Sequence, residues 1–292
     1  MGKIVRYITK DGSAFIIAAD STDAVYKMER IHKPSAAVTA DMGRLMTAAS
    51  LMGVMLKDKD DSVTLRFNGN GPAGCVIAVS DWQGNCRISV ENPIVELPLN
   101  SKGKLDVSGA LGSSGYLYVV KDIGLKEPFI GTTQIVSGEV AEDITNYFAV
   151  SEQTPSVCSL GVLINPDLTV NCAGGFLIQL LPGCPENIID VLEKNISVLP
   201  PVTQMLSGKM TVDEMAVKAM GGLDLDKLDE TEFTYKCNCS RQKAQAAMLA
   251  AGKKELEDML KDGKPAVVEC HFCDKRYEFG LDDIKSLKKK LA

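Results

Sequence analysis

Four of the nine cysteines in this 292-residue chain fall near its end as two close pairs, Cys237-x-Cys239 and Cys270-x-x-Cys273. Zinc prefers thiolate, and four thiolates leave no open coordination position. The spacing therefore predicts a closed, structural, tetrahedral zinc site with each pair supplying half of the shell. Residues 233–292 carry few aromatics, and a unit that small with a thin core needs a staple. His271 lies inside the second pair and could replace one cysteine, although four sulfurs already complete the shell. Each pair can also reach the ~4.4–6.8 Å Cα separation of a disulfide. Oxidation of the thiolates ejects the metal. In such modules the zinc binding energy, apparently ~10–16 kcal/mol, is folding energy. The other cysteines, Cys75, Cys86, Cys158, Cys172 and Cys184, are scattered and read as buried structural thiols. Cys184, in Pro-Gly-Cys-Pro, could be exposed, but no histidine stands near it to make a nucleophile.

Punctuation along the chain predicts three stretches. Residues 1–182 read as a mixed α+β core, because strands precede and interleave with few helices. A hairpin turns at Asp11-Gly12, and helices are expected at 22–32 and 35–56. Strands are expected at 62–68, 76–80, 87–90, 117–121, 134–136, 161–164 and 173–181, with a helix at 141–151. Residues 183–232 read as a helical linker. Its helices at 186–197, 201–206 and 211–220 are each too short to be stable alone and need a partner surface. Thr211 and Glu214 form a capping-box pattern at the start of the last. Residues 233–292 are the cysteine-bearing unit, with helices near 240–251, 254–261 and 282–291 and strands at 267–270 and 276–279.

Charge and composition narrow the function classes. Hydrophobic residues make up 45% and the formal net charge is −6, which suits a folded domain and argues against a surface built to grip nucleic acid or anionic lipid. Residues 253–292 are near neutral, with no basic stripe of the kind a zinc-ribbon nucleic-acid reader carries. The apolar run 35–56 is long enough to consider as a membrane span, but Asp41 and Arg44 within it favour a buried helix. The N-terminus lacks the apolar core of a signal peptide, so the cytosol is the expected compartment. Gly69-x-Gly71-x-x-Gly74 matches a dinucleotide fingerprint, yet a β-like run follows where a helix is required, and Pro72 removes an amide donor. The glycines read as a hairpin. With only His32 and His271 present, no catalytic constellation is visible. A thiol oxidoreductase would place CxxC at a helix start in a βαβ setting, which this sequence lacks. Met205, Met210, Met215 and Met220 recur every five residues, which fits no single helix face. They read equally as core side chains and as an adaptable interaction surface.

Six segments carry a family likeness: DMGRLMTAASLMG at 41–53, NGNGPAG at 68–74, YFAVSEQTPS at 147–156, GGFLIQLLPG at 174–183, CNCSRQKAQAAMLAAG at 237–252 and CHFCDKRYEF at 270–279. Together they resemble the redox-regulated holdase chaperones of the bacterial heat shock protein 33 family, in order and over nearly the whole chain. The resemblance implies an α+β substrate-binding core, a metastable linker and a C-terminal zinc switch, with no enzymatic activity. It assigns one zinc per chain to Cys237, Cys239, Cys270 and Cys273 in a reduced form of low chaperone activity. It further implies that oxidation forms Cys237–Cys239 and Cys270–Cys273 disulfides, releases zinc and unfolds the linker. The active form is then a cytoplasmic homodimer that holds unfolding client proteins without ATP, under oxidative stress. Neither nucleic acid nor membrane is an implied partner.

Overall fold

The computed structural model describes residues 1–100, 103 and 105–291, and they fall into two units, Met1–Lys236 and a second that begins at Cys237. The architecture is mixed α+β. In the first unit, β1 (Gly2–Thr9) and β2 (Ala14–Asp20) form the expected hairpin. Gly12 at its tip takes φ 72°, a region open to glycine without steric cost. Helices α1 (Thr22–His32) and α2 (Ala36–Gly53) follow, then β3 (Ser62–Gly69), β4 (Cys75–Asp81), β5 (Cys86–Val90) and α3 (Val107–Leu111). Next come β6 (Gly115–Asp122), β7 (Phe129–Gln134), α4 (Val140–Val150), β8 (Ser156–Ile164) and β9 (Val170–Leu180). Three short helices, α5 (Glu186–Val198), α6 (Val202–Ser207) and α7 (Val212–Ala219), lead into β10 (Leu225–Phe233). The strands pair antiparallel in two sheets, ordered β10-β1-β2-β9-β8 and β5-β4-β3-β6-β7.

Helix α2 is apolar on every side, and a helix of that kind must be enclosed. All of its residues are buried except Ala36 and Arg44, and it packs against strands of both sheets to form the main core. No helix among the described residues is long and apolar enough to cross a membrane. Asp41 is carried inside with α2. Neither of its carboxylate oxygens has a hydrogen-bond partner, and burial pushes its pKa well above the usual carboxylate range.

The central strands of the first sheet, β1, β2 and β9, are covered on both faces. Its alternating side chains divide accordingly: Ile4 and Ile17 enter the main core, whereas Val5 and Ile16 join a second cluster on the outer face. The covering elements there are α5, α6 and α7. Met205, Met215 and Met220 are buried in that cluster and Met210 packs against it. Their five-residue spacing is compatible with core packing because they stand on different elements: Met205 in α6, Met210 between helices, Met215 in α7 and Met220 at its C-cap.

Three elements depart from the sequence expectation. Residues 225–233, expected within a helical linker, form β10 instead. Its charges hide it from a hydrophobic pattern, but they are matched across the ladder: Asp229 pairs with Arg6, and Glu230 with Lys3 at 3.0 Å. The strand expected at 134–136 lies at 129–134, where Gly131 and the threonines dilute the apolar signal. Helix α3 was not expected at all, being too short for periodicity; Asp106 caps it by accepting from Gly109 N at 3.1 Å. The glycine run 69–74 is the hairpin between β3 and β4, and it docks on α3. Gly71 N donates to the Leu111 carbonyl at 3.0 Å, and a Cβ at Gly71 would stand 2.3 Å from the Ala110 carbonyl oxygen.

The second unit comprises α8 (Arg241–Ala251), α9 (Lys253–Lys261), the hairpin β11 (Ala266–Glu269) with β12 (Arg276–Phe279), and α10 (Leu281–Lys289). Its core is a single cluster of seven buried side chains: Ala244, Met248, Leu256, Tyr277, Phe279, Ile284 and Leu287.

Candidate metal centre

Each cysteine pair lies in a short irregular or turn segment beside regular secondary structure. Cys237 and Cys239 precede α8, whose N-cap Ser240 accepts from Lys243 N at 3.2 Å. Arg241, in the first turn, stacks its guanidinium over Phe279 at 4.4 Å, donates to the Glu278 carbonyl at 2.7 Å and pairs with Asp283 at 2.9 Å. The start of α8 is thereby tied to β12 and α10. Cys270 and Cys273 lie in the loop joining β11 to β12. The Cys270 carbonyl accepts from Cys273 N at 3.1 Å and Asp274 N at 2.8 Å, and Cys270 N donates to the Lys275 carbonyl at 3.0 Å. Asp274 closes the turn at φ 56°, a left-handed conformation that Asp tolerates better than most residues.

These two turns bring all four sulfurs within 4.8 Å of one another. Cys237 Sγ stands 3.6 Å from Cys270 Sγ, and Cys239 Sγ 3.4 Å from Cys273 Sγ. A tetrahedron with Zn–S bonds of about 2.3 Å has edges of roughly 3.8 Å, so the spacing and the all-thiol donor set both fit a closed four-sulfur metal site. His271 is exposed and outside the group.

Tyr277, on β12, donates its hydroxyl hydrogen bond to Cys239 Sγ at 3.1 Å. Burial opposes ionisation of Cys239, but the hydrogen bonds from Tyr277 and then Cys273 outweigh it and bring the pKa down to about 7. Burial raises Cys237 and Cys273, and the bond to Cys239 raises Tyr277 to about 12. Nothing in the spacing of the cysteines pointed to Tyr277. Its one sequence signal is the alternation Tyr277-x-Phe279, which aims both rings to the same side of a strand.

The other five cysteines lie apart from this group. Cys86 and Cys172 are buried as expected, and burial pushes the Cys86 thiol up to about 12. Cys75, Cys158 and Cys184 are half-buried rather than buried, Cys158 being packed against the main core.

Polar contacts fasten α7 to the first sheet. Thr211 and Glu214 form the expected capping box. Asp213 accepts from Tyr7 OH at 2.6 Å, Lys227 Nζ at 2.6 Å and Lys3 Nζ at 3.1 Å, joining α7 to β10 and β1. Partial burial opposes its ionisation, but these donors together hold its carboxyl well below the usual range. Helix α5 is less closely packed: an apolar cavity of about 530 Å³ lies beneath it, between Ile189, Leu192 and Ile196 on one side and Val157, Ile178 and Leu180 on the other.

Comparison with known proteins adds a family to this geometry. The sequence model described as Hsp33 protein matches residues 2–280. The 33 kDa chaperonin of Clostridium botulinum (Type E3) is 42% identical over 287 residues, covering 98% of this chain and 97% of that protein. Its counterpart in Clostridium beijerinckii is 42% identical over 285 residues, with 98% and 97% covered. Among solved structures, the crystal structure of the 33 kDa chaperonin from Thermotoga maritima is similar with a TM-score of 0.89 at 38% identity, covering 98% of both chains.

Proposed function

The chain belongs to the Hsp33 family, and from that membership we propose that it is a redox-regulated, ATP-independent holdase chaperone of the cytoplasm. Its division of labour is a substrate-binding core over 1–182, a metastable linker over 183–232 and a zinc switch in the second unit, which begins at Cys237 and not at the expected 233. In the reduced form one zinc ion is held by Cys237, Cys239, Cys270 and Cys273. When bound, the metal cross-links the turn before α8 to the β11–β12 loop and replaces the large core that this unit lacks. The observation that carries this reading is the convergence of four thiols from two turns in a unit with seven buried apolar side chains.

Oxidation of the thiols removes the metal ligands pairwise, as Cys237–Cys239 and Cys270–Cys273 disulfides, and the unit loses its staple. Helices α5, α6 and α7 are short and rest on the sheet by an apolar face, so they are the next elements to loosen. Their departure bares Val5, Ile16, Phe176 and Ile178 on the sheet together with the linker methionines. An apolar surface of that kind binds partly unfolded clients and favours self-association, which supports a homodimer as the active form.

The test is light scattering from a heat-labile client protein, with reduced or peroxide-treated chaperone, alongside zinc release and thiol counts. Protection is expected from the oxidised form, without ATP and with one zinc released per chain. Equal protection by both forms would remove the switch, and protection by neither would remove the chaperone reading.

A further inference from the structure

Tyr277 and the sulfur beneath its hydroxyl border an open space. A cavity of about 220 Å³ is lined by Cys239, Cys270, Val268, His271, Phe272 and Tyr277. Cys239 and Cys270 therefore face a route by which a small oxidant reaches sulfur. Of these two, Cys239 receives the tyrosine hydrogen bond at 3.1 Å. The ring that carries the hydroxyl is buried in the small core beside Phe279 and lies under Lys275 Nζ, 5.5 Å from the ring centroid. The donor is thus held by packing on a strand rather than on a mobile loop.

We propose that Tyr277 is a positioning residue that acts as a brake on the switch: its hydroxyl engages a lone pair of the Cys239 sulfur and slows that sulfur's reaction with a peroxide. This rests on the reading that the four cysteines hold a metal. A sulfur that a metal already keeps ionised gains no thiolate fraction from a hydrogen bond and is only made a weaker nucleophile by it, and outer-shell partners of metal ligands commonly control affinity and reactivity about tenfold or more. The reaction it restrains balances as follows. The Cys239 thiolate attacks one oxygen of hydrogen peroxide, the O–O bond breaks, and sulfenic acid and hydroxide form. A neighbouring thiolate then attacks the sulfenic sulfur, an S–S bond forms, and the second oxygen leaves as hydroxide. Two electrons pass from the pair of sulfurs to the peroxide, and two protons convert the hydroxides to water.

The experiment uses the full chain with Tyr277→Phe, which keeps the ring and removes only the donor. Both proteins are loaded with cobalt(II), and the thiolate-to-cobalt charge-transfer band is recorded. Both are then loaded with zinc, and metal release is followed with a metallochromic dye, in hydrogen peroxide and in chelator alone. The expected result is a band moved to longer wavelength, because a sulfur freed of its hydrogen bond donates more readily. Zinc release in peroxide should be about tenfold faster, a larger change than in chelator alone. A merely structural loss would accelerate both releases equally and leave the band in place; that result, or a peroxide rate within twofold of the parent, overturns the brake. Should the phenylalanine variant fail to load metal, a monofluorinated tyrosine at 277 supplies the test with opposite sign. Its phenol is more acidic yet stays protonated at neutral pH, so it is a stronger donor and should slow peroxide-driven release, and an unchanged or faster rate overturns the proposal. A parent protein that takes up neither cobalt nor zinc would overturn the metal reading itself, whereas a loaded parent with an indifferent variant overturns the brake alone.

Discussion

Among the described residues, one cluster of the first unit holds 42 buried apolar side chains and another holds 14, whereas the cluster of the second unit holds seven. The larger unit encloses an entire helix, α2, between strands of two sheets, and apolar burial suffices to organise it. The smaller has two short strands, three short helices and no comparable interior. What it has instead is four sulfurs within 4.8 Å. Stability in the first unit is distributed over many contacts and no one of them decides it. If the four cysteines hold a metal, as proposed above, stability in the second is concentrated at a single point, and concentrated stability can be switched by one chemical event.

Removing the metal is the largest perturbation this contrast allows. Chelation at low pH, or Cys270→Ser, is expected to unfold the second unit and leave the first intact. Hydrogen exchange should reach unprotected rates over residues 237–291 while amides of α2 remain protected. The loss is on the scale of structural zinc binding, ~10–16 kcal/mol. Full protection of the second unit in metal-free protein would break the comparison.

Within the first unit, Asp41 tests how much the distributed core can carry. Its folded pKa is raised, so it favours folding relative to the unfolded chain only at pH values below the ordinary carboxylate pKa near 4. That advantage is lost as pH rises towards the folded value. Asp41→Asn removes the titration without changing the shape. The variant should gain on the parent by up to about 1.4 kcal/mol for each pH unit above 4 until the folded pKa is reached. Denaturant midpoints measured between pH 4 and 8 read this directly. Parallel pH profiles would mean that Asp41 ionises freely within the fold.

The outer face of the first sheet should behave as an intermediate case. Asp213→Ala removes the acceptor shared by Tyr7, Lys3 and Lys227 and should cost about 1 kcal/mol, discounted for the partial exposure of the lysines. Because the folded pKa of Asp213 is lowered, its contribution is complete above pH 4 and is lost only as pH falls through the lowered value. At neutral pH the substitution should therefore loosen α5, α6 and α7, seen as faster exchange there, with α2 unaffected. Equal acceleration in α2 would place the linker and the core in one cooperative unit.

Much of this contrast is legible from the sequence, for identifiable reasons. The cysteine spacing names the four sulfurs because short turns constrain where neighbouring side chains go. The apolar run around Leu45 announces a buried helix because nothing but enclosure suits it. Strand β10 was not legible, since Asp226, Lys227, Asp229, Glu230 and Glu232 give it the composition of a solvated segment. Its reason to be a strand lies in the charges of β1, some 220 residues away. Tyr277 was invisible as a sulfur partner for the same reason: a hydrogen bond between residues 38 apart in sequence is a product of the hairpin, not of any local pattern. The methionines were readable as apolar but not as inward-facing, because their periodicity is broken by the turn that separates Met205 on α6 from Met215 in α7 and Met220 at its C-cap.

The smallest expected effect concerns the cap on α7. Thr211 Oγ1 accepts from Glu214 N at 3.2 Å, and the Glu214 carboxylate accepts from Thr211 N at 2.8 Å. Two backbone donors at the helix start are satisfied by this exchange, in a helix of eight residues that has few others to lose. Thr211→Ala should destabilise α7 by about 1 kcal/mol, and at that scale its local opening constant rises about fivefold. Exchange of amides in α7 should quicken by that factor, while α2 and the cysteine-bearing unit keep their parental rates. If residues 183–232 act as the proposed linker, the same factor should also shorten the lag between zinc release and exposure of apolar surface, followed with a hydrophobic dye after peroxide addition. An unchanged lag would mean that α7 is released together with the metal unit, leaving no separate step for its cap to control.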